Sequence, residues 1–454
     1  MARTSLVIGG GFVGLSTALH LQRLGRRVLL LDRHAISSTT AAASYGNAGT
    51  MAVYANVPVN SPSVLRNLPG MLLDSDGPLS VKPTLHLPSM LPWAALFALH
   101  CRRSAVEHTA DALGALLQRA ESGYEPVFEQ AGVDIDAPMG AHASGGDDAA
   151  RQPFAVREGY LLLQRTEAAM HASAAGAALR RRGLGDGLRM HALSSDEVLE
   201  LEPALSAHVC AGGAWFFPDG WLLSEPAALM RALAAGFEAH GGELLVGSAV
   251  SIGEASSGGG GRGGGVVVRL SDGSSTETVD EVVVAAGAHS KPLVASVGEW
   301  CPLDTERGYH VAFAPGSEAR LTRGVCDPTE GFIASPMAGG LRVAGKVELG
   351  GVDAPPTPAR WEQIERASQA MIAGVGPRVP SADWLGFRPS MPDALPVIGR
   401  SRKLPSVLYA FGHQHIGWTL GGITGQLVAE LADGREPSVD LHPYRLGRFW
   451  PFGG

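Results

Sequence analysis

The sequence predicts an α/β (α+β two-domain) chain in which a parallel-sheet unit is interleaved with an antiparallel-sheet domain. Three observations carry this. A glycine-rich turn joins a strand to a helix at the start of the chain, long apolar runs recur in the middle and near the C-terminus, and residues 300–350 alternate polar with apolar. Unbroken apolar runs read as strands buried on both faces under helical cover. Alternation reads as antiparallel strands. The parallel-sheet domain is therefore expected over 1–60, 222–295 and 384–454, and its companion over 61–221 and 296–383.

The N-terminal unit comes first. Leu6-Val7-Ile8 forms a short buried strand that delivers the chain into Gly9, Gly11 and Gly14 at G-x-G-x-x-G spacing. A helix follows at once, with Leu15, Ala18, Leu19 and Leu21 on its apolar face. Gly25 ends it, and Val28 to Leu31 make a second strand that stops at Asp32. Strand, turn, helix, strand and acid in this register are the Rossmann-like dinucleotide fingerprint. Gly9 permits the tight turn, Gly11 lets the backbone approach a pyrophosphate, and Gly14 lets helix and strand pack closely. The phosphates rest on the helix N-terminus, where unpaired N–H groups and the helix dipole favour anions. Gly258, Gly260 and Gly263 satisfy the same spacing, but inside the run SSGGGGRGGG with no helix after it. That copy reads as a hairpin loop.

In the middle, EPAALMRALAAGFEAH (225–240) predicts a helix, followed by the strand ELLVGSAVSI, the glycine loop, the strand VVVRL, and the strand Glu281 to Ala285 running into Ala286-Gly287. Near the C-terminus the strand Val407 to Phe411 meets Gly412, and a helix runs from Gly417 to about Leu431.

Composition bounds the partners. At 454 residues the chain has room for two or three domains, and 45% hydrophobic with 18% charged residues describe a globular protein. A net charge of −8 offers no basic field, so no nucleic acid is expected. Cys101, Cys210, Cys301 and Cys326 are far apart, and no metal site is expected. The dinucleotide unit begins almost at Met1, so a cytoplasmic setting is expected. MLPWAALFALHC (90–101) is too short to span a bilayer and reads as a core helix. Its rival reading is a peripheral membrane contact through Trp93 and Phe97 ahead of Arg102-Arg103.

VIGGGFVGLSTALHLQRLGRRVLLLDR, SYGNAGT, VVVAAGAHS, ERGYHV, LRVAGKVELGG, LGFRPSMPDALPVIGR and FGHQHIGWTLGGITGQLVAEL together resemble the FAD-dependent D-amino-acid oxidase and dehydrogenase superfamily. The likeness is greatest to its D-amino-acid dehydrogenase and hydroxyproline dehydrogenase branches. The resemblance implies that Gly9, Gly11, Gly14 and Asp32 contact the ADP half of FAD, with Arg33 beside them. It implies that Ser44, Asn47, Ala48 and Gly49 pass under the flavin and that Ala286 and Gly287 lie beside the pyrophosphate. Gly417, Trp418 and Thr419 then open a helix aimed at the flavin, and Val250 and Gly412 complete the set. The loop from Asp32 to Ser44 is longer than is usual in the family and carries Ala43 where threonine is common. Relatives with covalent flavin use a cysteine near Gly386 or a histidine at Gly46, so non-covalent FAD is expected.

Oxidising a Cα–N bond requires an anchored carboxylate, a neutral amine and a Cα–H aimed at flavin N5. Arg388 is the expected anchor, since a guanidinium grips a carboxylate bidentately. Strand alternation puts Arg307 and Tyr309 on one face and His310 on the other. Tyr309 is expected to offer its hydroxyl to the carboxylate, and His413 or His415 a polar contact to the substrate. The expected substrate is a D-amino acid, released as an imine that hydrolyses to a 2-oxo acid and ammonia. Alternatives are a cyclic imino acid such as D-proline or hydroxyproline, a sarcosine-type amine, or an electron-relay flavoprotein subunit without a substrate site. The expected electron acceptor is a quinone or an electron-transfer protein.

Overall fold

A computed structural model describes residues 2–449 apart from 37–39, 144–146, 256–264 and 316–319. The N-terminal unit forms as its apolar runs dictate. Strand Thr4–Ile8 leads through the glycine turn into helix Phe12–Arg23, and strand Arg27–Asp32 returns parallel to the first. Gly25, at φ +72°, turns the chain out of the helix.

These strands are the middle of a six-stranded sheet. Its order is Glu243–Val246, Arg27–Asp32, Thr4–Ile8, Glu281–Val284, Val407–Phe411 and Val397–Arg400, parallel except for the last edge strand. The sheet is thus assembled from three separated stretches of chain. Helix Gly417–Ala432 lies against Phe12–Arg23, and the two approach closely because Gly425 sits over Ser16 and Thr17, where a Cβ would come within 2.8 Å of backbone. Helix Pro226–Ala239 buries ten of its residues against the same layer. Each buried Leu, Met or Phe there contributes roughly 1.5–3 kcal/mol.

A nine-stranded sheet faces this unit. Its main path runs Trp384–Ser390, Asp304–Phe313, Gly340–Leu349, Phe332–Met337, Gly324–Asp327, Tyr160–Leu163, Ala214–Phe217 and His191–Leu193, and Leu79–Val81 joins beside Gly340–Leu349. The alternating stretch 300–350 supplies its antiparallel centre.

Three details differ from the sequence reading. ELLVGSAVSI splits at Gly247: its first half joins the parallel sheet, while Ala249–Glu254 pairs antiparallel with Val266–Leu270 in a separate two-stranded ribbon. The glycine run joining those two strands lies outside the described residues. Trp384–Ser390 is an edge strand of the second sheet, so the chain enters the first sheet only at Val397. Trp221–Leu223 pairs with Thr50–Met51 and Ala155–Val156 in a small sheet of its own. Among the described residues, no helix is long and apolar enough to cross a membrane.

Candidate active site

Between the two large sheets lies a cavity of about 710 Å³, within the range of cofactor and ligand sites. Its nucleotide end is the glycine turn. Gly9 has φ +112°, and a Cβ there would come within 2.4 Å of the Ala285 carbonyl oxygen. Asp32 accepts from the Gly10 amide at 2.7 Å and from the His34 amide at 3.0 Å, so this acid also sets the shape of the turn. Gly11 is the N-cap of the first helix, and the Ser44 hydroxyl accepts from the Phe12 amide at 3.1 Å. Arg33 is exposed at the rim, and Ala286 and Gly287 face the turn from the end of strand Glu281–Val284.

Segment 44–49 crosses the middle of the cavity and is held from both sides. Asn47 spends its side chain on the segment itself, donating to the Ser44 carbonyl at 3.0 Å and accepting from the Gly49 amide at 2.6 Å. Ser335 donates to the Ala48 carbonyl at 2.8 Å, and Arg342 to the Asn47 carbonyl at 3.0 Å. The His310 ring nitrogens lie 2.8 Å from the Gly46 carbonyl and 3.0 Å from that of Ala382, and a neutral ring can donate to only one. Gly46 and Gly386 both face the indole of Trp384: a Cβ at either would meet the ring, at 2.2 and 1.8 Å. That indole stacks on His310 at 5.2 Å and donates to the Thr40 carbonyl at 2.6 Å. Ser335 and Trp384 had no local sequence signal, and His310 and Arg342 were marked only as members of the family segments ERGYHV and LRVAGKVELGG, because each acts on a segment more than two hundred residues away.

The far end holds the ionisable groups. Arg388 sits opposite Glu306 in the strand ladder, and its guanidinium lies over Gly308, where a Cβ would come within 2.5 Å of Cζ. It donates to the Lys346 carbonyl at 3.0 Å, and among the described residues no carboxylate lies within ion-pair distance of it. Burial lowers its pKa, opposed by the charge of Glu306. Burial pushes the Glu306 carboxyl up, with Arg388 pulling it back. His415 is exposed to the cavity, and surrounding protein lowers its pKa to about 4, with the Arg388 charge adding to the effect. Gln414 adopts φ +53° and donates to the Met391 carbonyl at 2.8 Å, leaving its Oε1 buried without a partner.

Several sequence-derived residues spend their side chains elsewhere or lie outside the cavity wall. The Tyr309 hydroxyl points away from the cavity, donating to Glu348 at 2.8 Å and accepting from the Thr357 amide at 3.1 Å. The alternation was read correctly, but the face that meets the cavity is that of Glu306, Gly308 and His310. Arg307 is fully buried on the Tyr309 face, 3.3 Å from Glu348, and does not line the cavity. His413 is buried, with Nε2 2.9 Å from the Thr424 hydroxyl. Thr419 accepts from the Ala52 amide at 3.0 Å and does not line the cavity, whereas Gly417 and Trp418 do. Gly14 acts through packing alone. Val250 is 44% exposed, turned outward by the irregular pairing between Ala249 and Ser251, while Gly247, Ser248 and Ala249 reach the cavity.

The residues present fit an FAD. The glycine turn leaves no room for side chains, the first helix presents its N-terminus there, and the Trp418 indole N–H is buried without a partner at the other end. Asp32→Ala is expected to weaken FAD binding about ten- to a hundredfold, at roughly 1.5–3 kcal/mol for a charge-assisted bond. Fluorimetric titration of the apoprotein measures it. Because Asp32 also accepts from Gly10, the apoprotein should melt lower as well; an unchanged melting temperature would separate the two roles.

Burial lowers His20, His310 and His413 to about 4, 3 and 3. The unfolded chain, with histidines near 6.5, binds more protons below that pH, so these residues make stability fall as pH drops from about 6.5 toward 4. Each costs about 1.4 kcal/mol per pH unit in that window. The melting temperature should be flat above pH 7 and decline below 6.5, and a flat profile down to pH 4.5 contradicts this.

Comparison with known proteins agrees with this geometry. Residues 5–431 match the family described as "FAD dependent oxidoreductase". The chain is 32% identical to a D-amino-acid oxidase of Bradyrhizobium diazoefficiens over 98% of both chains, and 29% identical to D-amino acid dehydrogenase 2 of Ralstonia nicotianae over 97% of this chain and 99% of that one. The crystal structure of glycine oxidase from Geobacillus kaustophilus shares the fold, with a TM-score of 0.68 at 21% identity over 98% of this chain and 99% of the other. With the family match spanning most of the chain and the glycine turn shaped for a dinucleotide, this protein belongs to the FAD-dependent oxidoreductases.

Proposed function

We propose that this flavoenzyme oxidises the Cα–N bond of a D-amino acid, yielding an imine that hydrolyses to a 2-oxo acid and ammonia. The observation that carries the reading is Arg388, a guanidinium with no carboxylate partner among the described residues, beside His415 in the cavity. The relatives named as D-amino-acid oxidase and dehydrogenases support it. When bound, FAD supplies the two-electron acceptor for the Cα–H.

The chain's own residues do the rest. Arg388 fixes the substrate carboxylate through two parallel bonds, which sets the direction of Cα–H. Its position over Gly308 keeps the guanidinium in the cavity wall. His415, neutral at working pH, accepts a hydrogen bond from the amine, while the desolvated pocket and the neighbouring Arg388 charge disfavour an ammonium and so select the unprotonated substrate. Antiparallel strands roof the site and keep water from it. The six-stranded sheet serves as the FAD-binding domain and the nine-stranded sheet as the substrate domain.

The electron acceptor in this reading is a quinone or an electron-transfer protein, reached at a membrane surface. Leu72, Leu73, Leu85, Leu91 and Leu99, from 47% to 100% exposed, all fall within residues 59–99. Trp93 is tied inward, donating to the Ser390 carbonyl at 3.0 Å, so it is the leucines rather than the tryptophan that face out.

Anaerobic mixing of the holoprotein with D- and L-amino acids, D-proline and sarcosine is the test. D-amino acids should bleach the flavin. Bleaching by D-proline or sarcosine alone would move the assignment to imino acids or secondary amines, and none from any of them would leave an electron relay. Rapid peroxide formation in air would make oxygen the acceptor.

A further inference from the structure

The cavity contains a second arginine that the chemistry above does not use. Arg180, on helix Glu167–Leu184, lines the cavity, and its Nε is buried without a hydrogen-bond partner. Among the described residues no carboxylate lies within ion-pair distance of it, and its guanidinium is placed 5.7 Å over the Phe217 ring. Leaving a cation out of water and unpaired is costly, and such groups ordinarily find a counter-charge.

Its neighbours are all donors or neutral. The Tyr54 ring stacks on Tyr160 at 4.7 Å and on Phe217 at 4.2 Å, and the buried Tyr54 hydroxyl makes no hydrogen bond of acceptable geometry. Burial raises both phenols well above their ordinary value and pushes the Cys326 thiol up to about 11. No group in this cluster carries a negative charge at neutral pH.

Placement relative to Arg388 follows from the sheet. Tyr160 and Arg388 lie on strands five steps apart, but the Arg388 side chain already reaches across Gly308 to Lys346, two steps inward. The three remaining steps span about 14 Å at ~4.8 Å per strand. Arg180 and Arg388 both line this cavity, so a ligand with two carboxylates meets a cation at each end.

We propose that Arg180, with Tyr54 and Tyr160, forms a second anion subsite that takes the distal carboxylate of an acidic D-amino acid while Arg388 holds the α-carboxylate. This rests on the D-amino-acid reading and narrows it to substrates of the D-aspartate, D-glutamate and D-2-aminoadipate series. The reaction is the one already described; the subsite adds selectivity. A neutral side chain would leave the Arg180 charge unmatched.

The experiment compares kcat/KM for anaerobic flavin reduction by D-aspartate, D-glutamate and D-2-aminoadipate with that by D-asparagine, D-glutamine and D-norleucine, using holoenzyme. At the best chain length the acid should exceed its neutral counterpart by about thirtyfold or more. Arg180→Met should collapse that ratio to within about threefold, and Arg180→Lys should retain part of it. Independently, glutarate should perturb the wild-type flavin spectrum at about tenfold or more lower concentration than valerate. Neutral D-amino acids that reduce the flavin with no acid preference at any length overturn the subsite and leave the D-amino-acid reading standing. If no D-amino acid reduces the flavin, that reading falls, and glutarate binding no tighter than valerate then overturns the subsite too. Should the Arg180 variants fail to retain FAD, the wild-type glutarate comparison decides.

Discussion

Arg388→Ala should lower kcat/KM by about thirty- to several-thousandfold, the equivalent of about 2–5 kcal/mol for leaving a substrate carboxylate unpaired in a desolvated pocket. FAD content should stay normal, because among the described residues the one hydrogen bond of the Arg388 side chain is to the Lys346 carbonyl. Lysine should rescue only partly: an ammonium cannot reproduce the two parallel bonds that aim Cα–H. Gly308→Ala tests the same geometry from the other side. Its Cβ would come within 2.5 Å of the guanidinium, so it should displace the anchor and raise KM while FAD stays bound. Stopped-flow reduction by the best D-amino acid measures both variants. Full activity in Arg388→Ala would show that the carboxylate binds elsewhere, with Arg180 the next guanidinium in the cavity to test.

Gly14→Ala should be the most damaging methyl addition in the nucleotide unit. The new Cβ would lie 1.8 Å from the Gly9 carbonyl oxygen and 2.9 Å from its carbon, and both are backbone atoms that cannot rotate away. Helix Phe12–Arg23 must then lift off its strand, opening contacts made by the fully buried Phe12, Leu15 and Leu19. Overpacking of this kind costs about 3 kcal/mol or more. The protein should emerge with little FAD and a lower melting temperature. Gly11→Ala is the control. Its nearest neighbour is the Ser44 hydroxyl at 3.0 Å, a side chain that can move, so it should fold while binding FAD poorly. Equal folding of both variants would mean that Gly14 does not set the helix–strand distance.

The difference between these two glycines was already legible in the sequence, since G-x-G-x-x-G assigns them different jobs by position. So were the helices Pro226–Ala239 and Gly417–Ala432 and the antiparallel centre of the second sheet, because apolar periodicity and turn residues are local signals. Tyr309 shows where such signals stop. Alternation correctly paired it with Arg307, but which face of strand Asp304–Phe313 meets the cavity depends on what packs behind it, here Glu348, Trp361 and the chain at Thr357. Arg388 was found because a family motif marks it, whereas Arg180 sits in an alanine-rich helix with no motif. Trp384 was invisible for a similar reason: its significance arises only when Gly46 is folded against it from the far end of the chain.

The order in which the strands of the six-stranded sheet are made has a kinetic consequence. Strand Thr4–Ile8 is made more than two hundred residues before its neighbour Glu281–Val284, and Val407–Phe411 and the helix that covers the first helix follow more than a hundred residues later still. Contacts so distant in sequence must wait for large loops to close, which slows folding and leaves apolar strands unpaired meanwhile. FAD capture is therefore expected only once strand Val407–Phe411 has joined the sheet. A nascent chain stalled before residue 397 should remain a client of chaperones however much flavin is supplied.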